Sequence, residues 1–227
     1  MSIDPGIVGF LVLLGAMAAF GAWHVSRARR AQRMIESRGY HLASAPPADL
    51  VQLIAVHLGG QPRRAWRRDG RGWAIELLPR AEDEESTVRI VVTAPLATPF
   101  AGRLLLRSWQ GASPEHLPGR LGTRLLEFGD ERLAGLVRTS DPNGRLQGDG
   151  GGYLAYAEHA FEIDSRLPDG FLERLPNLTK TAWSLVLSGP DLLLQAPFDR
   201  AAKAIDAVTE LAAVLNDTDP TSKGTRP

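Results

Sequence analysis

Residues 6–25 read GIVGFLVLLGAMAAFGAWHV, a run without Asp, Glu, Lys or Arg that ends abruptly at Ser26-Arg27-Ala28-Arg29-Arg30. About twenty helical residues at ~1.5 Å each cross the ~30 Å hydrocarbon layer. A helix satisfies its own backbone groups, so a single segment can lie in lipid without a partner. A cleavable signal peptide would start basic and carry a shorter apolar run of roughly 7–15 residues, whereas this chain starts with Asp4 and no Lys or Arg. A buried core helix would keep a polar stripe, which the run lacks. The stretch therefore reads as a membrane anchor, and it sets the plan for the rest. Residues 1–5 form a short extracytoplasmic N-terminus, 6–25 the transmembrane helix, 26–39 a basic juxtamembrane helix, 40–215 a soluble α+β domain and 216–227 a disordered polar tail.

Orientation follows from the flanks. Arg27, Arg29, Arg30 and Arg33 crowd the C-terminal side, and only the terminal amine and Asp4 stand on the other. Basic residues stay on the cytoplasmic side of a span. The expected location is the cell membrane, crossed once, with the N-terminus outside and the large domain in the cytoplasm.

The chain balances 26 Lys and Arg against 26 Asp and Glu, but residues 27–80 are strongly basic and the remainder is acidic. A basic end near the anchor suits an anionic lipid surface. Cysteine is absent, which excludes disulfides, thiolate metal sites, iron–sulfur ligation and a cysteine nucleophile. Lysine occurs only at Lys180, Lys203 and Lys223 beside abundant Arg, Ala, Gly and Leu, the usage of a GC-rich, bacterial genome.

Along the chain, helical character continues from the anchor to Arg38 and stops at Gly39, a natural left-handed cap. Residues 48–58 carry apolar residues at helix spacing, and Gly59-Gly60 ends them. Residues 63–78 read as a β-hairpin turning at Asp69-Gly70, a type I′ signal. An acidic loop over 82–85 leads to a strand over 86–94, which Pro95 and Pro99 stop, and a further strand runs over 102–109. Short strands are expected over 123–128 and 132–139, with a turn at 141–144. A strand follows over 153–164, then a short helix opening at 167–169 with Phe171, Leu172 and Leu175 on one face. Residues 181–187 and 192–196 read as a second hairpin around Gly189-Pro190-Asp191. Residues 199–215 are the clearest amphipathic helix, with Ala201, Ala204, Ile205, Val208, Leu211, Ala212 and Leu215 on one side. The fold class is α+β: one transmembrane helix, then a mostly antiparallel sheet domain with flanking helices.

The order of these signals, with Arg38-Gly39-Tyr40, the Arg-rich hairpin, Pro95 to Phe100, FEIDSRLPDGFLERL (161–175) and WSLVLSGPDLLL (183–194), resembles bacterial single-pass membrane-anchored proteins with a cytoplasmic α+β domain. That resemblance brings no catalytic residues to carry over.

Candidate chemistry is sparse. The stretch GRLQGDGGGY (144–153) lacks the Lys of a phosphate loop and precedes a strand, so it reads as a hairpin loop. His24, His41, His57, His116 and His159 show no paired metal spacing. Glu158-His159 with Asp164 could form an acid–base set and Ser184 or Ser188 a nucleophile, but no G-x-S-x-G elbow frames them. The most informative soluble feature is basic: Arg63, Arg64, Arg67, Arg68 and Arg71, interleaved with Trp66 and Trp73. Guanidiniums beside aromatic faces suit phosphate-bearing partners. Anionic lipid headgroups or plain solvation of an edge strand are favoured over nucleic acid. No cofactor or metal is expected. The sequence therefore reads as a membrane-tethered, non-catalytic interaction or scaffold module, its protein partner unspecified. The alternative is an enzyme or ligand-binding domain whose site is assembled from distant residues.

Overall fold

In the computed structural model the described residues are 5–70, 72–79, 88–110, 136–139, 147–148, 151–159, 167–168, 170–175 and 183–217. The acidic loop at 82–85, the strand expected over 123–128, the turn at 141–144, Asp164, His116, Arg71 and the tail beyond 217 lie outside them.

Helix α1 (Pro5–Glu36) is unbroken over 32 residues, and its two halves meet different surroundings. Phe10, Val12, Leu13, Leu14, Met17, Phe20, Trp23 and Val25 are each between 48% and 67% exposed. A side chain added at Gly15 or Gly21 would touch nothing. Ala31 and Ile35, in contrast, belong to the main hydrophobic core, Ile35 with no exposed surface at all. Residues 26–39 are thus not a stalk standing apart from a domain that begins at 40. One face of that basic helix is part of the core. Among the described residues no helix is long and apolar enough to cross a membrane; the side chains of residues 6–9, Leu11 and His24, which belong to the apolar run in the sequence, lie outside them. The chain leaves α1 through Gly39, whose φ of 80° is accessible to glycine without strain and whose amide donates to the Glu36 carbonyl.

Strand β1 (His41–Ala43), helix α2 (Ala48–His57), and strands β2 (Gln61–Arg68) and β3 (Gly72–Leu78) follow. The β2–β3 hairpin pairs Arg68 with Gly72, which leaves three loop residues rather than the two of the expected type I′ turn. Strand β4 (Arg89–Gln110) is continuous, and so is β8 (Ser184–Pro197), beyond the short strands β5 (Val137–Arg138), β6 (Gln147–Gly148) and β7 (Gly151–Ala157). Two sequence expectations are corrected here. Pro95 and Pro99 do not divide β4, and Gly189-Pro190-Asp191 is not a hairpin turn. The irregular stretch of β4 between Pro95 and Arg103 lies opposite Gly189 to Asp191 of β8, so both strands bend at one place and pairing resumes on either side. Proline is tolerated where the ladder is interrupted. The strand expected over 153–164 ends at Ala157.

The sheet is antiparallel throughout, in the order β1-β2-β3-β4-β7-β5, with β6 beside β7 and β8 along the other side of β4. Neighbouring residues on its central strands enter opposite cores. Ile90, Val92, Leu104, Leu106, Leu185, Leu187, Leu192 and Leu194 face one way, while Val91, Leu105, Val186 and Leu193 face the other. Helix α2 covers the second face with Leu50 and Ile54. The first is covered by the second half of α1, a short turn around Phe171 and Leu175, and α3 (Ala201–Asp217), whose Ala201, Ala204, Ile205, Val208, Leu211 and Ala212 are buried. Each fully buried Leu or Ile contributes about 1.5–3 kcal/mol relative to exposure, so the face that α1 helps to close is a large part of the domain's stability.

Candidate functional site

The site is assembled where α1 passes from its exposed half into the core. A cavity of about 630 Å³ lies between α1 and the sheet, lined by Val25, Arg27, Ala28, Arg29 and Gln32 from the helix, Arg63, Arg64 and Glu76 from the hairpin, and Val88, Pro197, Phe198 and Asp199 from the ends of the long strands.

The hairpin's contribution depends on a bulge. Pro62 pairs with Leu77 and Arg64 with Glu76, so Arg63 is the extra residue on β2. A bulge re-aims side chains that would otherwise alternate, and here two consecutive arginines converge on one carboxylate. Arg63 Nη1 stands 3.5 Å from Glu76 Oε1 and Arg64 Nε 3.8 Å from Oε2. Both arginine side chains are 48% exposed, while that of Glu76 is only 6% exposed. Glu76 Oε2 has no hydrogen-bond partner among the described residues. Across the cavity Arg27 is paired with Asp199, which also has Arg200 Nε at 3.8 Å. The Arg27 guanidinium lies over Trp23, 5.0 Å from the ring.

Of the five arginines expected to form one patch, Arg71 lies outside the described residues and the other four fall into two places. Arg63 and Arg64 line the cavity. Arg67 sits near the hairpin end, over Trp73 at 5.7 Å and 3.9 Å from Asp69, and Arg68 lies beside Gly39. Four residues of strand separate Arg64 from Arg68, roughly 13 Å at ~3.3 Å per residue. Of the four arginines flanking the apolar run, Arg27 and Arg29 line the cavity, and Arg30 and Arg33 are exposed.

The fold is matched at low similarity. No family model matches the chain, and no curated protein matches it in sequence. Among solved structures, the crystal structure of the mycobacterial trehalose monomycolate transport factor A, TtfA, covers 84% of this chain and 93% of its own at 13% identity, with a TM-score of 0.48. At that level the likeness is one of outline and assigns no residue a role.

A second polar cluster lies on the opposite face. His57, at the end of α2, is 2% exposed. Its Nε2 is 3.2 Å from Arg103 Nη1, and Arg103 Nε donates to Glu158 Oε1 at 2.6 Å. An arginine N–H can only donate, so His57 Nε2 accepts and the ring is neutral. A guanidinium between an imidazole and a carboxylate holds α2, β4 and the end of β7 together. Ser188 of β8 is the cross-strand partner of Arg103, beside this cluster, and Ser184 pairs with Arg107. Among the described residues no three acidic or histidine side chains gather as a metal site would need.

Sequence reasoning missed Glu76. The signal was present as one carboxylate inside the apolar strand GWAIELL, where a charged residue is rarely buried unless paired.

Proposed function

We propose that this chain is a membrane-tethered, non-catalytic interaction module on the cytoplasmic face of a bacterial membrane, with α1 serving both as anchor and as part of the domain's core. One observation carries the reading: an unbroken helix holds a half whose described large apolar side chains are exposed and a half that buries one face, Ala31 and Ile35, in the core with α3 and the sheet. Exposed apolar surface of that extent marks an interaction with a membrane or a partner. The sequence continues the same run through residues 6–9 and Leu11 to a length that can cross lipid. Trp23 and Arg27 then stand at the level where aromatic and basic residues meet headgroups. Because the helix passes into the core without a hinge, the domain is held at a fixed angle and height above the bilayer.

The cavity supports a second reading, a ligand-binding domain with its site assembled from distant residues. Six charged side chains from α1, β2, β3 and the turn after β8 converge there, and convergent polar groups in a concavity are what a binding site needs.

Two measurements test the proposal. The full chain should stay in the membrane fraction after washing with high salt and alkaline carbonate, and a reporter active only outside the cytoplasm should be silent when fused after Pro227. Release by carbonate would remove the anchor, and a strongly active reporter would reverse the orientation.

A further inference from the structure

The cavity walls are unequal in charge. Among the described residues Arg27, Arg29, Arg63 and Arg64 face Glu76 and Asp199, which leaves two positive charges in excess in the described lining. Arg27 is engaged by Asp199. Arg29 has no ion-pair partner among the described residues, and the half-exposed Arg63 and Arg64 contact Glu76 only at 3.5 and 3.8 Å, too far for good hydrogen bonds. Guanidiniums held loosely in this way can turn toward a phosphate and bind it with two parallel hydrogen bonds. The carboxylate between them is nearly buried, and its Oε2 has no hydrogen-bond donor among the described residues, a condition that is unfavourable until a donor arrives. The remaining wall, Val25, Val88, Pro197 and Phe198, is apolar and continuous with the exposed half of α1.

We propose that this cavity holds the headgroup of an anionic phospholipid that carries free hydroxyls: the phosphate between Arg29, Arg63 and Arg64, a headgroup hydroxyl donating to the Glu76 carboxylate, and the acyl chains lying along α1. The inference rests on the reading of α1 as the anchor. With that anchor the source is the surrounding bilayer. From Trp23 to Arg29 the helix rises roughly 9 Å, at ~1.5 Å per residue, which brings Arg29 to the outer edge of the headgroup layer, about 5–8 Å deep on each side, where its long side chain can reach back to the lipid phosphates. The glycerol headgroup of phosphatidylglycerol matches this chemistry. Phosphatidylmethanol, of the same net charge, has no hydroxyl or other donor to offer Glu76 and should be held less well.

The test uses the full chain in lipid nanodiscs of phosphatidylcholine doped with either phosphatidylglycerol or phosphatidylmethanol at equal fraction, with retained lipid counted by native mass spectrometry. Incorporation into nanodiscs is scored first. A chain that does not incorporate has no anchor, and the proposal falls with that reading. In an incorporated chain, phosphatidylglycerol should be retained roughly tenfold over phosphatidylmethanol, the worth of one charge-assisted hydrogen bond. Glu76→Gln should reduce that preference several-fold while keeping anionic lipid ahead of phosphatidylcholine. The Arg29→Gln, Arg63→Gln, Arg64→Gln triple variant should abolish the anionic preference altogether. Circular dichroism of both variants confirms the fold, and Arg29→Gln alone, on an exposed helix position, supplies a version that leaves the hairpin intact and should weaken anionic retention. Equal retention of the two anionic lipids, or no change in the triple variant, would overturn the assignment. Binding of glycerol 3-phosphate as tight as that of the lipid would also overturn it, because the ligand would then come from solution.

Discussion

Arg38 and Asp206 stand 168 positions apart and meet in a two-pronged ion pair, Nε to Oδ1 at 2.9 Å and Nη2 to Oδ2 at 2.7 Å. The hydrogen bonds it donates to Asp206 hold the Arg38 guanidinium above its ordinary pKa. The pair fastens the end of α1 to the first half of α3, and Arg27 with Asp199 fastens the same helix about three turns earlier. Exposed pairs contribute only about 0.2–1 kcal/mol each, so the two clamps set the angle of α1 rather than supply its adhesion, which comes from Ala31 and Ile35.

The first prediction separates the halves of α1. Removing residues 1–22 should leave a chain that unfolds cooperatively in denaturant, because every described side chain that is lost is exposed. Removing residues 1–38 should give a chain that binds hydrophobic dye and aggregates, since the α3 face that α1 covers would meet water. Cooperative unfolding of equal midpoint in both would show that α1 is no part of the core.

Within α1 the same contrast appears at neighbouring positions. Ile35→Ala should destabilise the domain by about 2–5 kcal/mol in urea unfolding, as large-to-small core changes do. Met34→Ala, at a position 40% exposed, should stay within about 0.5 kcal/mol of the parent.

At the start of β3, Gly72 has a φ of 101°, and a Cβ there would lie 2.2 Å from the Thr93 carbonyl oxygen. The next residue is held in the same place, with the Trp73 amide donating to Thr93 Oγ1 at 2.9 Å. Gly72→Ala should cost at least about 1–2 kcal/mol from backbone strain alone, and the clash adds to it. A thermal unfolding midpoint equal to the parent's would contradict the close approach of β3 to β4.

Asp191 stands at the bend of β8 with its pKa raised by burial and, secondarily, by the Asp49 charge at the start of α2. A carboxyl raised in the folded state binds its proton more tightly there than in the unfolded chain. Its contribution to stability is therefore full below the ordinary carboxylate range and falls as pH rises through the folded-state value. Asp191→Asn should raise the urea midpoint at pH 7, and the gain should shrink toward zero as the pH falls below the ordinary range. A gain that is constant with pH would show that the Asp191 carboxyl is not raised in the folded state, and a loss at pH 7 that it is stabilised in its charged form.

Much of this architecture was legible in the sequence because local physics decides it. The 3.6-residue period of α3, the apolar run of α1 and the glycines at 39, 59 and 60 each specify their element without reference to the rest. The long strands were not legible, because Pro95, Pro99 and Gly189 are breakers in isolation and become a shared bend only when β4 and β8 lie side by side. Val91 posed a similar difficulty. It interrupts the polar half of an alternation until α2 is seen to cover the second face of the sheet. Of the candidate site, the arginines were readable as a basic hairpin. Their separation into Arg63 and Arg64 at the cavity and Arg67 and Arg68 beyond it was not, since the bulge at Arg63 is fixed by pairing with β3. The core role of Ala31 and Ile35 left a faint trace, two apolar residues at helix spacing in an otherwise basic segment.

The central claim is that one rigid helix lies in lipid at one end and in the protein core at the other, and the absence of cysteine makes it directly measurable. Leu14→Cys and Met34→Cys, each labelled with a fluorophore in the full chain reconstituted in phosphatidylglycerol–phosphatidylcholine vesicles, report the two halves of α1 at exposed positions. The account predicts that a water-soluble quencher reaches the label at residue 34 and that only a lipid-borne quencher reaches the label at residue 14. Equal access of the water-soluble quencher to both labels would contradict it.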